Sequence, residues 1–286
     1  MKKKALTLLI TAAMILTTAA CSSKQDSPTT TAPTTQSQTE SQTEPPSPEE
    51  TTAPPEGTFT VGFDQDFPPM GYIGDDGEFT GFDLELAKEV AARLNLEFVP
   101  QPIAWDAKDM ELEAGNIDCI WNGFTMNGRE DGYTWTTPYM KNEQVFVVAE
   151  DSEIQKVSDL AGKVVTVQAD SSAEAALKDD SDLTATFGTV QTAPDYNTAL
   201  QDLKMGAIDA VAMDSVVARF QIEQRGGGFR LLEETLAAEE YGVGFKKGNE
   251  ELRDKVQASL EEMAADGTLA EISTRWFSDD ITTIGK

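Results

Sequence analysis

From residue 58 onward the sequence repeats one rhythm: a short apolar run, a turn, an amphipathic stretch, then another apolar run. "FTVGFD" (59–64) alternates like a strand. "DLELAKEVAARLN" (83–95) puts Leu84, Ala87, Val90, Ala91 and Leu94 on one helical face, with Asp83 as its expected N-cap. "LEFVPQ" (96–101) reads as a strand, 107–114 as a short helix between an Asp106 cap and a Gly115 stop, and "IDCIW" (117–121) as the next strand. The rhythm restarts after Tyr139 with "QVFVVAE" (144–150), "KVVTVQ" (163–168), a helix from Ser172, "TATFGTV" (184–190) as a strand, a helix from Pro194 to Met205, "DAVAMD" (209–214) and a further helix. Strands alternating with helices make βαβ units and a parallel sheet, so the restart is a second α/β unit. The amphipathic run 249–267, with Leu252, Val256, Leu260 and Met263 on one face and Gly267 as C-cap, and a final helix over 268–277 complete the pattern.

Upstream of residue 57 the chemistry differs. Lys2, Lys3 and Lys4, an apolar run from Ala5 to Leu16 and small residues before Cys21 have the layout of a secretory signal over residues 1–20, too short to span a membrane. "LTTAA" directly before Cys21 resembles the lipobox of bacterial lipoproteins, which makes Cys21 the first mature residue and the bearer of a lipid (palmitate) anchor. Residues 21–56 are rich in Ser, Thr, Gln, Pro and Glu, cannot bury enough surface to offset their ordering entropy, and read as a disordered tether.

Of 22 Lys and Arg, three belong to the leader, so the mature chain has 19 against 50 acids, a net charge of 19 − 50 = −31. Such a surface repels phosphate backbones, and no nucleic acid partner is expected. With Cys21 spent on lipid, Cys119 is the one remaining cysteine, expected as a buried free thiol. No histidine occurs, which weighs against zinc sites and Ser-His or Cys-His catalysis; no cofactor or metal is expected.

The chemistry-bearing residues cluster where strands end. "IDCIWNGFTMNGRED" (117–131) passes from an apolar strand into Gly123, Thr125 and Arg129: a glycine that admits close approach, a hydroxyl, and a planar fork that matches a carboxylate. In "QADSSAE" (168–174) Ser171 and Ser172 cap a helix whose free N–H groups attract negative charge. Asp64 and Asp214 are acids at strand ends, where an ammonium would justify their burial. Phe67 and Trp105 are aromatics placed to wall a slot for an aliphatic stem. "GNIDCIWNG" (115–123) and "GAIDAVAMD" (206–214) share Gly-x-Ile-Asp, which sets Gly123 and Asp214 at equivalent strand ends. In open α/β sheets ligands bind outside the carboxyl ends of strands.

The ordered series "FDQDFPPMGY", "GEFTGFDLELAKEVAARLN", "AWD", "GNIDCIWNGFTMNGRE", "TTPYM", "VSDLAGKVVTVQADSSAE", "ALQDLKMGAIDAVAMDS" and "YGVGFKKGNEELRDKVQASLEEMAADGTLAEISTRWF" resembles the extracellular solute-binding proteins of polar amino acid ABC importers, family 3, from about Thr58 to Phe277. The resemblance implies a two-lobed, periplasmic-binding-protein-like α/β fold of type II, each lobe a mostly parallel sheet flanked by helices. Two hinge strands would join lobe I (57–140 plus 243–280) to lobe II (141–242). It implies a monomer that traps an amino acid by hinge closure and delivers it to a membrane permease. Asp64, Phe67 and Trp105 match the family's first strand-loop and aromatic walls. Gly123, Thr125 and Arg129 match its Gly-x-Thr…Arg string, Ser171 and Ser172 its helix cap, and Asp214 the acid that pairs with the α-ammonium. Two departures stand out: the Thr125–Arg129 interval is one residue shorter than usual, and Asp170 replaces a glycine.

No bond-making activity is expected. The rival readings are a dehydratase-like enzyme on the same fold and a receptor domain for signalling. The absence of histidine speaks against the first. The second would continue into a spanning segment, and no such apolar run follows Phe277.

Overall fold

The structure, a computed structural model, describes residues 57–286; the expected signal segment, Cys21 and the tether lie outside the described residues. The first part runs β1 (Thr58–Phe63), β2 (Asp66–Phe67), β3 (Gly71–Ile73), β4 (Phe79–Thr80), α1 (Phe82–Arg93), β5 (Glu97–Pro102), α2 (Lys108–Ala114), β6 (Cys119–Ile120) and β7 (Tyr133–Trp135). Next come β8 (Met140–Ala149), β9 (Val164–Gln168), α3 (Ser172–Asp179), α4 (Ser181–Thr184), β10 (Thr189–Ala193), α5 (Tyr196–Lys204), β11 (Ala210–Asp214) and α6 (Ser215–Gln224). The chain then returns along β12 (Phe229–Tyr241) into β13 (Gly244–Lys246), α7 (Glu250–Asp266) and α8 (Thr268–Phe277).

Two five-stranded sheets result, ordered β5-β1-β6-β13-β7 and β10-β9-β11-β8-β12, with β2-β3-β4 as a small separate sheet. The βαβ strands of each large sheet are parallel, and the strands that carry the chain into and out of it join antiparallel at one edge, so both sheets are mixed. The lobes are linked by a ribbon: β12 runs antiparallel to β8 from Phe229 opposite Ala149 to Tyr241 opposite Met140, with register shifts at Leu231/Thr235 and Thr235/Ala237.

The shared Gly-x-Ile-Asp string has one physical meaning in both lobes. Gly115 and Gly206 take left-handed φ angles of 75° and 71° after α2 and α5, a conformation glycine adopts without steric cost. Ile117 and Ile208 then enter the core. Asp118 accepts the Thr60 N–H (2.7 Å), and Asp209 accepts the Val164 N–H (2.8 Å), each hooking its strand onto the start of the neighbouring parallel strand. Cys119 follows, fully buried and unpaired, its thiol pushed well above its ordinary ionisation range chiefly by burial.

Three local expectations are corrected. Asp83 is not the cap of α1; Gly81 takes that position, and Asp83 points inward with no exposed surface. The helix expected under an Asp106 cap begins as a 3-10 turn over Trp105–Ala107, and α2 follows from Lys108 with Ala107 before it. The strand expected over 184–190 is displaced: α4 ends at Thr184, Phe187 plugs the core of the second lobe, and β10 begins at Thr189. Gly188 passes so close to Gly162 that an added Cβ would lie 2.5 Å from its carbonyl oxygen.

Candidate functional site

In the first lobe, the carboxyl ends of β1 and β6 converge. Asp64 is nearly buried after β1: its backbone N–H donates to Asn122 Oδ1 (3.0 Å), and its own Oδ1 accepts the Asp66 N–H (2.9 Å). Burial raises its carboxyl to about 6, with the bonds from Asp66 and Gln168 only partly offsetting that cost. Beyond β6, Gly123 turns the chain at φ 56°; a Cβ there would meet Phe67 Cε1 at 3.0 Å and the Tyr241 ring at 3.2 Å. Asp83 holds this turn from behind, its Oδ2 accepting the Gly123 N–H (2.6 Å) and the Tyr139 hydroxyl (2.8 Å). Sequence reasoning placed Asp83 on a helix end and missed this role, because only the fold brings residue 83 against residue 123.

Arg129 reaches the site despite the short interval after Thr125. Its guanidinium lies 5.2 Å from the Phe124 ring centroid and donates to the carbonyls of Thr125 (3.3 Å) and Asp170 (3.2 Å). No carboxylate pairs with it among the described residues. Trp105, buried in a 3-10 turn, stacks edge-on against Phe124 at 5.6 Å, and Phe67 tilts against Tyr196 at 5.9 Å.

In the second lobe, Ser171 is the N-cap of α3, its hydroxyl accepting the Glu174 N–H (3.1 Å). The Ser172 hydroxyl accepts from Gln144 Nε2 (2.9 Å). Asp170, with φ 57°, turns its carboxylate toward Lys108 of the first lobe. Asp214 ends β11, 3% exposed, accepting from the Tyr241 hydroxyl (2.6 Å) and Asn142 Nδ2 (3.2 Å). Its carboxyl is pushed well above the usual range, by burial first and then by neighbouring Glu239.

The lobes meet across these residues. Gln168 Nε2 donates to Asp64 Oδ2 (2.6 Å), and Asn197 Nδ2 to Asp66 Oδ1 (2.9 Å). Between them lies a narrow, nearly closed slot lined by Phe67, Trp105, Asn122, Gly123, Thr125, Arg129, Gln168, Ser171, Ser172 and Asp214. Eight of the nine residues expected from sequence meet there. The ninth, Asp64, is one hydrogen bond away through Gln168. Larger open clefts flank the slot, one by Lys108 and Tyr133, the other by Thr125 and Glu239 on the hinge side.

Comparison with known proteins gives a consistent picture. The chain is 33% identical over 229 residues to the L-cystine-binding protein TcyJ of Escherichia coli (strain K12), covering 79% of this chain and 85% of that protein. It is 30% identical over 241 residues to the histidine-binding periplasmic protein of the same strain, with coverages of 77% and 88%. A substrate-binding protein of an ABC uptake transporter from Streptococcus pneumoniae, solved with bound histidine, superposes with a TM-score of 0.77 at 34% identity, covering 79% of this chain and 94% of that one. The family match spans residues 59–279, so all but the first residue of the two large sheets, the connecting ribbon and every residue lining the slot fall inside it, and the chain belongs to the bacterial extracellular solute-binding proteins, family 3.

Proposed function

We propose that this protein is the amino acid receptor of an ABC importer and that it holds a polar amino acid in the slot between its lobes. One observation carries the reading: Arg129, a cation with no acidic partner among the described residues, and Asp214, a buried acid with no cationic partner among them, face the same narrow slot. A zwitterion answers both. The α-carboxylate takes the Arg129 fork and the free N–H groups at the start of α3; the α-ammonium takes Asp214, and Thr125, its hydroxyl given to Glu239, borders the slot. Phe67 and Trp105 flank the side chain, and Asp64 reaches it from the edge.

Residues 57–140 plus 243–280 form one closing body and 141–242 the other, with β8 and β12 as the hinge. The receptor is monomeric, held at the extracytoplasmic face by lipid on Cys21, and hands its ligand unchanged to a membrane permease. No described helix is long and apolar enough to cross a membrane. Cystine and histidine, bound by relatives, head the ligands to try. A thermal-shift screen over the twenty amino acids, cystine and ornithine tests the reading. At least one should raise the melting temperature and be recovered intact by mass spectrometry; no shift with any of them overturns it.

A further inference from the structure

The hinge ribbon carries an acid that the slot does not expose. Glu239, on β12 directly opposite Asn142 of β8, is 5% exposed. Its Oε1 accepts from Asn142 Nδ2 (2.6 Å) and Gln144 Nε2 (2.9 Å), and its Oε2 accepts the Thr125 hydroxyl (2.9 Å). Asn142 Nδ2 also donates to Asp214 Oδ1, so a single amide nitrogen joins both carboxylates. Among the described residues no Lys or Arg lies within ion-pair distance of either. The groups facing the pair are the Tyr241 hydroxyl on β12, the Tyr196 hydroxyl on α5 and the Asp64 carboxyl beyond β1; the cation on the slot is Arg129, already directed to the carbonyls of Thr125 and Asp170.

Two buried polar atoms on this cluster lack a hydrogen-bond partner among the described residues, Gln144 Oε1 and the Tyr196 hydroxyl. Gln144 Oε1 is an acceptor left without a donor, and a buried acid without a cation is costly. An ammonium brings three N–H donors and one positive charge.

Resting on the amino acid reading above, we propose that Glu239 supports the ligand's ammonium site from behind Asp214, a positioning residue that makes the slot select amino-bearing ligands over deaminated ones. Burial first, and then Glu239, push the Asp214 carboxyl well above the usual carboxylate range, so the pair disfavours its ionised form. An ammonium seated beside it stabilises the ionised form, and the proton that Asp214 then gives up leaves to solvent. Binding is then coupled to proton release, and Glu239 strengthens the coupling by raising Asp214 in the empty state. It also ties selection to closure, since it grips Thr125 of the first lobe from a strand of the hinge.

The test is calorimetry at pH 7 in two buffers of different ionisation enthalpy. The probes are whichever of the twenty amino acids, cystine and ornithine binds wild type most tightly, together with its deaminated counterpart. Wild type should release protons with the amino acid and none with the deaminated acid. Glu239→Gln, shown folded by circular dichroism, should lose at least tenfold in affinity for the amino acid, lose little for the deaminated acid, and release fewer protons. Glu239→Gln combined with Asp214→Asn should cost less than the sum of the single changes. If Glu239→Gln weakens both probes equally with an unchanged proton count, Glu239 only braces the hinge and this proposal fails, while the amino acid reading stands. If wild type itself does not prefer the amino-bearing probe, the ammonium site of the proposed function fails, and this proposal with it.

Discussion

Lys108, almost wholly buried in the first lobe, pairs its ammonium with the carboxylate of Asp170 in the second. The same ammonium lies 5.3 Å from the Trp105 ring centroid, and the Asp170 carbonyl accepts from Arg129. Asp170 is thus a latch between lobes, placed beside a slot wall and the proposed carboxylate fork.

Breaking this latch should shift the lobes toward the open state. The Asp170 side chain is 55% exposed, so solvent screening limits the pair to about 1 kcal/mol, or roughly fivefold in population. Lys108→Met should therefore weaken every bound amino acid by about the same three- to tenfold factor, because only the competent fraction changes. Small-angle scattering of the ligand-free variant should give a larger radius of gyration than wild type. A loss confined to one ligand, or an unchanged radius, refutes the latch.

Arg129 and Asp214 should hold opposite ends of one zwitterion. A charge-assisted contact contributes about 1.5–3 kcal/mol, and stranding its partner adds to the loss, so Arg129→Ala should weaken binding by roughly ten- to several-hundred-fold. Arg129→Lys should recover only part of this, since a point charge does not reproduce the fork. Asp214→Asn should lose comparable affinity with the fold intact. Calorimetry with the α-carboxamide and the deaminated analogue assigns the ends; wild type binding both as tightly as the parent would contradict the assignment.

Stability of the ligand-free protein should rise on mild acidification. Burial lifts Asp83 to about 7 and Asp64 to about 6 from an ordinary 3.8, so between pH 4 and 7 the folded state binds more protons than the unfolded chain. The destabilisation is complete above the folded values and is relieved as pH falls through them, by up to about 1.4 kcal/mol per pH unit for each group. Melting temperatures measured from pH 8 to pH 5 should increase, and Asp83→Asn should flatten the slope. Identical slopes for wild type and variant would rule out Asp83 as a source.

Gly123→Ala should damage binding more than its size implies. The left-handed φ and the 3.0 Å approach to Phe67 mean that the methyl strains the backbone and pushes on a slot wall. We expect about 1–3 kcal/mol lost in stability, with at least tenfold weaker ligand binding in titration. Wild-type affinity in this variant would show that the turn tolerates a side chain.

Features set by local chemistry were legible in the sequence: the Ser171 cap, the Gly115 and Gly267 stops, and the hydroxyl and guanidinium after β6. Features set by tertiary pairing were not. "FRLLEETLAAEEY" is rich in Leu, Glu and Ala, favours helix by propensity and lacks a period of two, yet β8 recruits it as a 13-residue strand. Glu239 lies within that segment, so its place behind the slot was hidden with it. The acid at 83 carried a capping signal that the fold overrides, because the charge is used 40 residues away, at Gly123.

The buried thiol of Cys119 gives the first lobe a clock of its own. It sits at the centre of the β5-β1-β6-β13-β7 sheet with no exposed surface, and its burial keeps the sulfur in the unreactive neutral form. Alkylation then proceeds only through molecules in which that sheet has come apart. In a chain beginning at residue 57 it is the sole cysteine, so labelling rates across a denaturant series read the opening energy of one lobe while the other contributes no signal.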